Sequence, residues 1–225
     1  SKMTTNKVAL LQPNQISGLF LSQLQKLTTS QIASLTSAQV VSVAASSIAA
    51  LSQSQISALS SDNFKALTTA QISSMTPLQV QNLTTDMVVN LTATQVASFT
   101  QLQIQKLGAQ LSVLSSDQSA ALSTNAIAAL TTAQINRLTT KQISGLSSGQ
   151  ISAFTAAQFA KLTTDQIASL TATQVAGLSV PVMAGISANH FTALINANLS
   201  SLSGLQFAAI SPSLMTVLTL SLIHI

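Results

Sequence analysis

The stretch "LTTDQIASLTATQVAG", residues 162–177, consists of two eight-residue units that are nearly identical. Leu162 of the first unit corresponds to Leu170 of the second, and Gln166 corresponds to Gln174. A repeat at a fixed period indicates an architecture built from one small structural unit, so the period has to be explained first.

Units of this kind cover the chain. Thirteen blocks of eight residues run from 3 to 106, one block of seven follows at 107–113, and fourteen blocks of eight run from 114 to 225. The consensus is Leu, Thr/Ser, Thr/Ser/Ala, any residue, Gln, Ile/Val, small, small, and we number these positions zero to seven. Position zero is apolar in all 28 blocks, position one is Ser or Thr in 23, and position four is Gln in 17 of the 27 full blocks.

A β-strand and a single long helix both fit this period poorly. Positions zero and five are an odd number of residues apart, so a straight strand would point them to opposite faces. A β-solenoid would need a turn in every block, but the chain has only seven glycines. In a continuous helix, at about 100° per residue, each block would leave a drift of about 80° and the apolar stripe would wind around the helix.

Short helices that restart in every block explain the consensus. Thr at position one and Gln at position four form the T-x-x-Q spacing of a capping box, and the apolar residues at zero and five form a hydrophobic staple. Predicted caps are Thr28, Gln31, Thr68, Gln71, Thr163 and Gln166. Predicted core residues are Leu27, Ile32, Leu67, Ile72, Leu138, Ile143, Leu162, Ile167, Leu170 and Val175.

The rare residue types agree with these helix boundaries. Three of the four prolines occupy position two, the first helical residue, where proline is tolerated best. All four aspartates occupy position three, in the first turn, where the helix dipole favours negative charge. Four glycines (Gly18, Gly145, Gly177 and Gly185) occupy position seven, where we expect a left-handed residue to end the helix.

Because isolated helices below about 12 residues are marginal in water, packing between blocks has to stabilise the array. The prediction is an all-α solenoid over 1–225, one very short capped helix per block, with Leu and Ile/Val inside and Thr, Ser and Gln outside. Small residues at positions six and seven would let backbones approach. We expect a kink or phase shift at 107–113, where Gly108 replaces the cap residue, and a more apolar C-terminal part at 178–225.

The composition argues against several function classes. Charged residues make up 5% of the chain, and the net charge of +4 comes from scattered Lys and Arg, so we expect no nucleic-acid partner. The chain lacks cysteine, and no apolar run reaches about 18 residues, so we expect no membrane-spanning helix. His190, at a Gln position, and His224 occupy non-equivalent positions, and the aspartates are far apart in sequence. We therefore expect neither an enzyme nor a metal or cofactor site.

Two resemblances follow from the repeat itself. The units "LTTSQIAS" (27–34), "LTTAQISS" (67–74), "LTTAQINR" (130–137) and "LTTDQIAS" (162–169) resemble the tandem octapeptide arrays of very large bacterial surface or secreted adhesin-like proteins. That resemblance implies a bacterial extracellular or cell-surface location. The unit "MTPLQVQN" (75–82) resembles the opening helix of transcription-activator-like effector repeats, whose units are much longer and carry a base-reading loop that is missing here.

The leading hypothesis is a stiff segment of an extracellular fibre or adhesin stalk that associates with itself end to end. The possible assembly surface consists of Leu214, Leu218, Leu220, Leu222, Ile223 and Ile225 in the apolar C-terminal tail. The alternative is a binding module whose regular Thr/Ser/Gln face recognises ice or a glycan, such as a host-surface polysaccharide. A DNA-binding function is the third hypothesis.

Overall fold

The computed structural model describes residues 4–216, apart from the side chain of Ala197, and it confirms the all-α fold class. Within that range the chain forms many short helices in a repeat-like arrangement, and none of these residues forms a strand. The chain divides into two compact units, Ser1–Val113 and Leu114–Ile225. Their boundary lies directly after the seven-residue block, and the continuity of the array across it stays a prediction.

The first unit contains thirteen α-helices and ends in a 3₁₀ helix, Gly108–Val113. The α-helices are Thr5–Ala9 (α1), Pro13–Ser17 (α2), Leu21–Leu24 (α3), Thr29–Ala33 (α4), Ser37–Ser42 (α5), Ala45–Ala49 (α6), Gln53–Ser57 (α7), Ser61–Ala66 (α8), Thr69–Ser74 (α9), Pro77–Gln81 (α10), Thr85–Val89 (α11), Ala93–Ala97 (α12) and Gln101–Lys106 (α13).

The described part of the second unit contains eleven α-helices and two 3₁₀ helices, Leu199–Ser201 and Pro212–Leu214. The α-helices are Ser116–Ala120 (α14), Thr124–Ala129 (α15), Thr132–Arg137 (α16), Thr140–Gly145 (α17), Ser148–Ser152 (α18), Ala156–Phe159 (α19), Thr164–Ala168 (α20), Ala172–Ala176 (α21), Val180–Ala184 (α22), Ala188–Asn198 (α23) and Gly204–Ala208 (α24).

Each regular helix begins directly after the residue at position one. Thr68, for example, has an extended backbone (φ −70°, ψ 159°) and caps α9. Both halves of the capping box are formed in fifteen of the described α-helices. Pro13 and Pro77 are the first residues of α2 and α10, where a missing N–H has no cost.

The expectation that position-seven glycines end helices in the left-handed conformation is wrong. Gly108 is the one described glycine with positive φ (55°), whereas Gly177 stays right-handed at φ −81°. A regular block leaves its helix through right-handed or extended residues, so no left-handed residue is needed. Gly177 instead leaves little room for a side chain, because a Cβ there would lie 2.9 Å from the Ser148 carbonyl oxygen.

Within each unit the chain winds into turns of three and a half to just under four blocks. Helices three apart in chain order pack together, as α6 does with α9 and α18 does with α21. Side-chain hydrogen bonds between successive turns join residues that are 28 to 31 positions apart. Residues at position seven also contact the preceding turn, since the Ser74 hydroxyl donates to the Ala45 carbonyl oxygen at 2.7 Å. Position six, in contrast, is mostly exposed in both units.

The core of each unit consists of the residues at positions zero and five. Of the ten core residues predicted from the sequence, nine are buried. Leu27 is half-buried, because it lies in the first turn of its unit.

One long helix interrupts the pattern near the C-terminal end. Helix α23 spans eleven residues, while the regular α-helices span four to six. Ile195 occupies position one of its block, so the hydroxyl that would start a new helix is missing. Ile195 is instead buried, and the helix continues through the block boundary.

Candidate functional site: the turn-to-turn contact

The predicted caps form hydrogen bonds in both directions. The Thr28 N–H donates to Gln31 Oε1 at 2.8 Å, and the Gln31 N–H donates to Thr28 Oγ1 at 3.2 Å. The same reciprocal pair joins Thr68 to Gln71 and Thr163 to Gln166. Two N–H groups that the helix itself cannot satisfy are therefore paired in each block.

The other end of the glutamine amide binds the preceding turn. Gln71 Nε2 lies 2.8 Å from the Val40 carbonyl oxygen, 3.3 Å from that of Val41 and 2.7 Å from that of Val43. These carbonyls lie at positions five, six and zero, where one helix ends and the next block begins. One side chain thus satisfies the start of its own helix and the end of a helix one turn earlier.

This contact recurs along both units. The glutamines that donate to carbonyl oxygens of the preceding turn include Gln39, Gln55, Gln71, Gln79, Gln95, Gln103, Gln142, Gln150, Gln158, Gln166, Gln174 and Gln206. We refer to these residues as the glutamine column. All of them are buried, so the prediction that glutamine faces outward is wrong. The physical reason is that the Nε2 donors need acceptors that only the preceding turn supplies.

Shorter or apolar residues at position four weaken the contact. Asn63 Nδ2 reaches the Leu35 carbonyl oxygen at 2.6 Å, but its Oδ1 accepts from Ser37 Oγ and does not cap its own helix. Met87 has no side-chain amide, so Thr84 provides only the hydroxyl half of that cap. An amide of glutamine length is therefore needed to reach both partners.

Two buried polar atoms in the second unit lack partners among the described residues. Ser119 is the one residue at position five of a full block that is not apolar, and its hydroxyl is buried without a hydrogen bond. His190 replaces Gln at position four, and its Nδ1 is likewise buried and unpaired. The His190 ring lies edge-on to Phe159, with ring centroids 6.2 Å apart, and Phe159 lies 31 residues earlier, where a glutamine would find a carbonyl. His190 thus packs on the preceding turn without bonding to it.

The seven-residue block shifts the contact by one residue. Gln110 at position three donates through Nε2 to the Leu83 carbonyl oxygen, 27 residues earlier, where regular blocks give 28. The backbone adopts a 3₁₀ helix after Gly108 in the left-handed conformation. An open groove of about 440 Å³ lies beside this segment, lined by residues that include Gln81, Lys106 and Gly108.

The exposed surface carries the hydroxyl residues. Thr28, Thr68 and Thr163 are exposed although their hydroxyl oxygens accept the cap bonds. Of the predicted assembly surface, Leu214 is half-buried in the 3₁₀ helix Pro212–Leu214. Leu218, Leu220, Leu222, Ile223 and Ile225 lie outside the described residues, as does His224.

Between residues 4 and 216, no three side chains of His, Cys, Asp or Glu converge on a point where a metal ion could be held. Over the same part of the chain, no helix combines the length and apolar character needed to cross a bilayer.

Comparison with known proteins identifies the repeat. A family model described as "ALTTAQ repeat" matches residues 120–148, which span the last residue of α14, all of α15, α16 and α17 and the first residue of α18. The matched segment contains the block "LTTAQINR", and the chain is therefore a repeat-containing protein. No curated protein matches the chain.

Proposed function

We propose that the chain is a structural module, a stiff segment of a bacterial extracellular fibre or adhesin stalk that extends by the stacking of turns. The observation that supports this proposal is the glutamine column. Each turn binds the preceding one through the same set of bonds, and this arrangement sets no limit on length. We propose neither a cofactor nor a catalytic activity for the array.

Low charge suits such a module. Eight basic and four acidic residues in 225 leave little electrostatic repulsion between neighbouring turns or neighbouring molecules. Within each unit the buried glutamine column also couples the helices that carry it to the preceding turn, so that bending would have to break several bonds at once. These features favour a spacer over a flexible tether.

Small-angle X-ray scattering of the dilute, purified chain tests the stiffness. A stiff spacer gives the scattering of one elongated particle, with a maximum dimension that stays constant between low and high salt. A chain that scatters as a flexible ensemble would overturn the proposal. Electron microscopy of the same sample would show whether the particles also join into filaments, and antibody labelling of intact cells of the source organism tests the surface location.

A second candidate function is the binding of ice or a polysaccharide. Its supporting observation is the regular exposure of threonine at position one, as at Thr28, Thr68 and Thr163. Glutamine does not belong to this face, because the column is buried. Thermal hysteresis or glycan-array binding by monomers would support this function. The replacement of exposed threonines by serine, which keeps the capping hydroxyl and removes the methyl group, should then change the signal without changing the fold.

A further inference from the structure

Three tripeptides of the chain have the Asn-x-Ser/Thr pattern, with x other than proline, that accepts N-linked glycans. They are Asn82-Leu83-Thr84, Asn90-Leu91-Thr92 and Asn198-Leu199-Ser200. The repeat itself supplies the last two residues of the first two tripeptides, because leucine at position zero and threonine at position one follow the residue at position seven. The pattern alone therefore selects no site, and the surroundings of each asparagine have to decide.

Asn82 and Asn90 lie in the links between helices. Asn82 follows the last residue of α10 and Thr84 is the N-cap of α11, so the first tripeptide forms the whole link between these helices. Asn90 and Thr92 hold the same places between α11 and α12. Both asparagine side chains are exposed. An exposed link of this kind is the structural setting in which the acceptor pattern is used.

The hydrogen bonds of these two side chains are compatible with a glycan. Asn82 Nδ2 donates to the Leu78 carbonyl oxygen at 2.9 Å, and Asn90 Nδ2 donates to the Asp86 carbonyl oxygen at 2.8 Å, each within the helix that the asparagine follows. A primary amide nitrogen carries two hydrogens, and the attachment of a sugar replaces one of them. The other hydrogen can keep the bond to the helix carbonyl, so modification at these positions removes no hydrogen bond from the fold.

Asn198 has the same pattern in different surroundings. It occupies position four of its block, the position of the glutamine column, and its side chain is half-buried. Its Nδ2 donates to the Leu170 carbonyl oxygen, 28 residues earlier, at 2.7 Å. A glycan on this nitrogen would have to lie in the contact between two turns and would separate them. The fold therefore opposes modification at Asn198.

Exposed apolar side chains lie beside both of the accessible asparagines. Leu78 is four residues before Asn82, on the same face of α10, and is 63% exposed. Val89 directly precedes Asn90 and is 51% exposed. A hydrated glycan on each asparagine would cover this apolar surface, which would otherwise favour aggregation.

We propose that Asn82 and Asn90 are acceptor sites for N-linked glycans and that Asn198 is not. The donor is a sugar whose anomeric carbon is bonded to the diphosphate of a nucleotide or of a lipid carrier. In the transfer, Nδ2 bonds to the anomeric carbon and gives one proton to a base of the transferase, while the bond from that carbon to the phosphate oxygen breaks and the diphosphate leaves with the electron pair. This inference goes beyond the proposed function and does not depend on the stiffness of the module.

Mass spectrometry of the full chain, isolated from cells of the source organism, tests this assignment. Trypsin cleaves after Lys and Arg, so one peptide, 66–106, contains both proposed sites, and the peptide that begins at Leu162 contains Asn198. The variants Asn82→Gln and Asn90→Gln keep a side-chain amide but remove the acceptor pattern. Asn198→Gln is the matched control, because it removes the third copy of the pattern. Circular dichroism spectra establish that all variants fold.

Peptide 66–106 of the wild type should carry a glycan on each asparagine, each single variant should lose one glycan, and the double variant should lose both. Asn198→Gln should leave the glycans unchanged. Single sugars would indicate the nucleotide-activated donor, and an oligosaccharide of fixed composition would indicate the lipid-linked donor. An unmodified wild-type peptide, a sugar that persists on a hydroxyl of the double variant, or a glycan on Asn198 would overturn the inference. A flexible chain in the scattering experiment would remove the spacer function and leave this assignment standing.

Discussion

Replacing Gln71 by glutamate tests the turn-to-turn contact most directly. Gln71 is 1% exposed, its Oε1 accepts from the Thr68 N–H, and its Nε2 lies within 3.3 Å of three carbonyl oxygens. Glutamate has the same shape and keeps the capping oxygen, so only the donor end changes. At neutral pH the substitution places a buried negative oxygen against the carbonyl oxygens of Val40 and Val43.

The expected cost follows from these contacts. Two donor bonds contribute about 0.5–1.5 kcal/mol each, and a buried charged group without a donor adds about 1–3 kcal/mol. The free energy of unfolding should therefore fall by roughly 2–6 kcal/mol at pH 7. Urea titrations followed by far-ultraviolet circular dichroism measure this change.

The cost should also depend on pH. Burial beside carbonyl oxygens raises the pKa of the new carboxyl group above its ordinary value of about 4.3. The unfolded state keeps the ordinary pKa, and the native state has the raised one. Between these two pKa values the native state binds more protons than the unfolded state, so the stability of the variant falls as the pH rises through this window. Below this pH window the neutral carboxyl group can donate a hydrogen bond to a carbonyl oxygen. The difference in the free energy of unfolding between the variant and the wild type should then shrink.

Gln15→Glu is the matched control for this experiment. Gln15 occupies the same position in its block and makes the same capping bond, but it is exposed and donates to no described residue. Its replacement should change the free energy of unfolding by less than about 0.5 kcal/mol at any pH. Equal losses for the two variants would refute the role assigned to Nε2, because they would trace the whole effect to the cap.

Three further substitutions, one of them with a matched control, test other features by urea titration or, for Ile143→Asp, by thermal melting. Ser119→Val should stabilise the second unit by about 1–2 kcal/mol, because it removes a buried unpaired hydroxyl and restores the apolar column; a loss of stability would contradict this. Gly177→Ala should cost about 1–3 kcal/mol, since its Cβ would lie 2.9 Å from the Ser148 carbonyl oxygen. Gly149→Ala, with open surroundings, should be neutral or stabilising by up to about 1 kcal/mol. A larger loss of stability in Gly149→Ala than in Gly177→Ala would be inconsistent with close packing at position seven. Ile143→Asp buries a charge at a fully buried site, so it should cost more than about 4 kcal/mol and unfold neighbouring blocks, and an unchanged melting curve would count against the stacked core.

The short capped helices could be predicted from the sequence because their signals are local. The hydroxyl at position one, the amide at position four and the two apolar positions all lie within one block, and each has a known effect on a helix start. The α-helix at Thr164–Ala168, for example, begins directly after its predicted cap, Thr163. Prediction failed at α23, where Ile195 removes a cap and two blocks merge into one helix.

The burial of glutamine could not be derived from the capping box, because the box uses only Oε1. The Nε2 donors find their acceptors 28 to 31 residues earlier in the chain, and which residues lie there depends on the number of blocks per turn, which is a property of the packing. One signal was present nevertheless. Glutamate serves a capping box as well as glutamine does, yet the four acidic residues are all aspartate and the chain contains no glutamate. The presence of glutamine and the absence of glutamate at position four imply that the N–H donors of the side-chain amide form hydrogen bonds.

The two-ended use of glutamine also explains how a unit as short as eight residues can form a stable array. A block of this length forms only about one turn of helix and leaves most of its N–H and C=O groups unpaired. Gln103 pairs the Thr100 N–H at the start of α13 and three carbonyl oxygens at the end of α9, all with one side chain. The unpaired ends of one helix are thus satisfied by a residue of another, one turn away. Because the donors always point toward the preceding turn, the array has a direction, and adding turns repeats a contact that already exists.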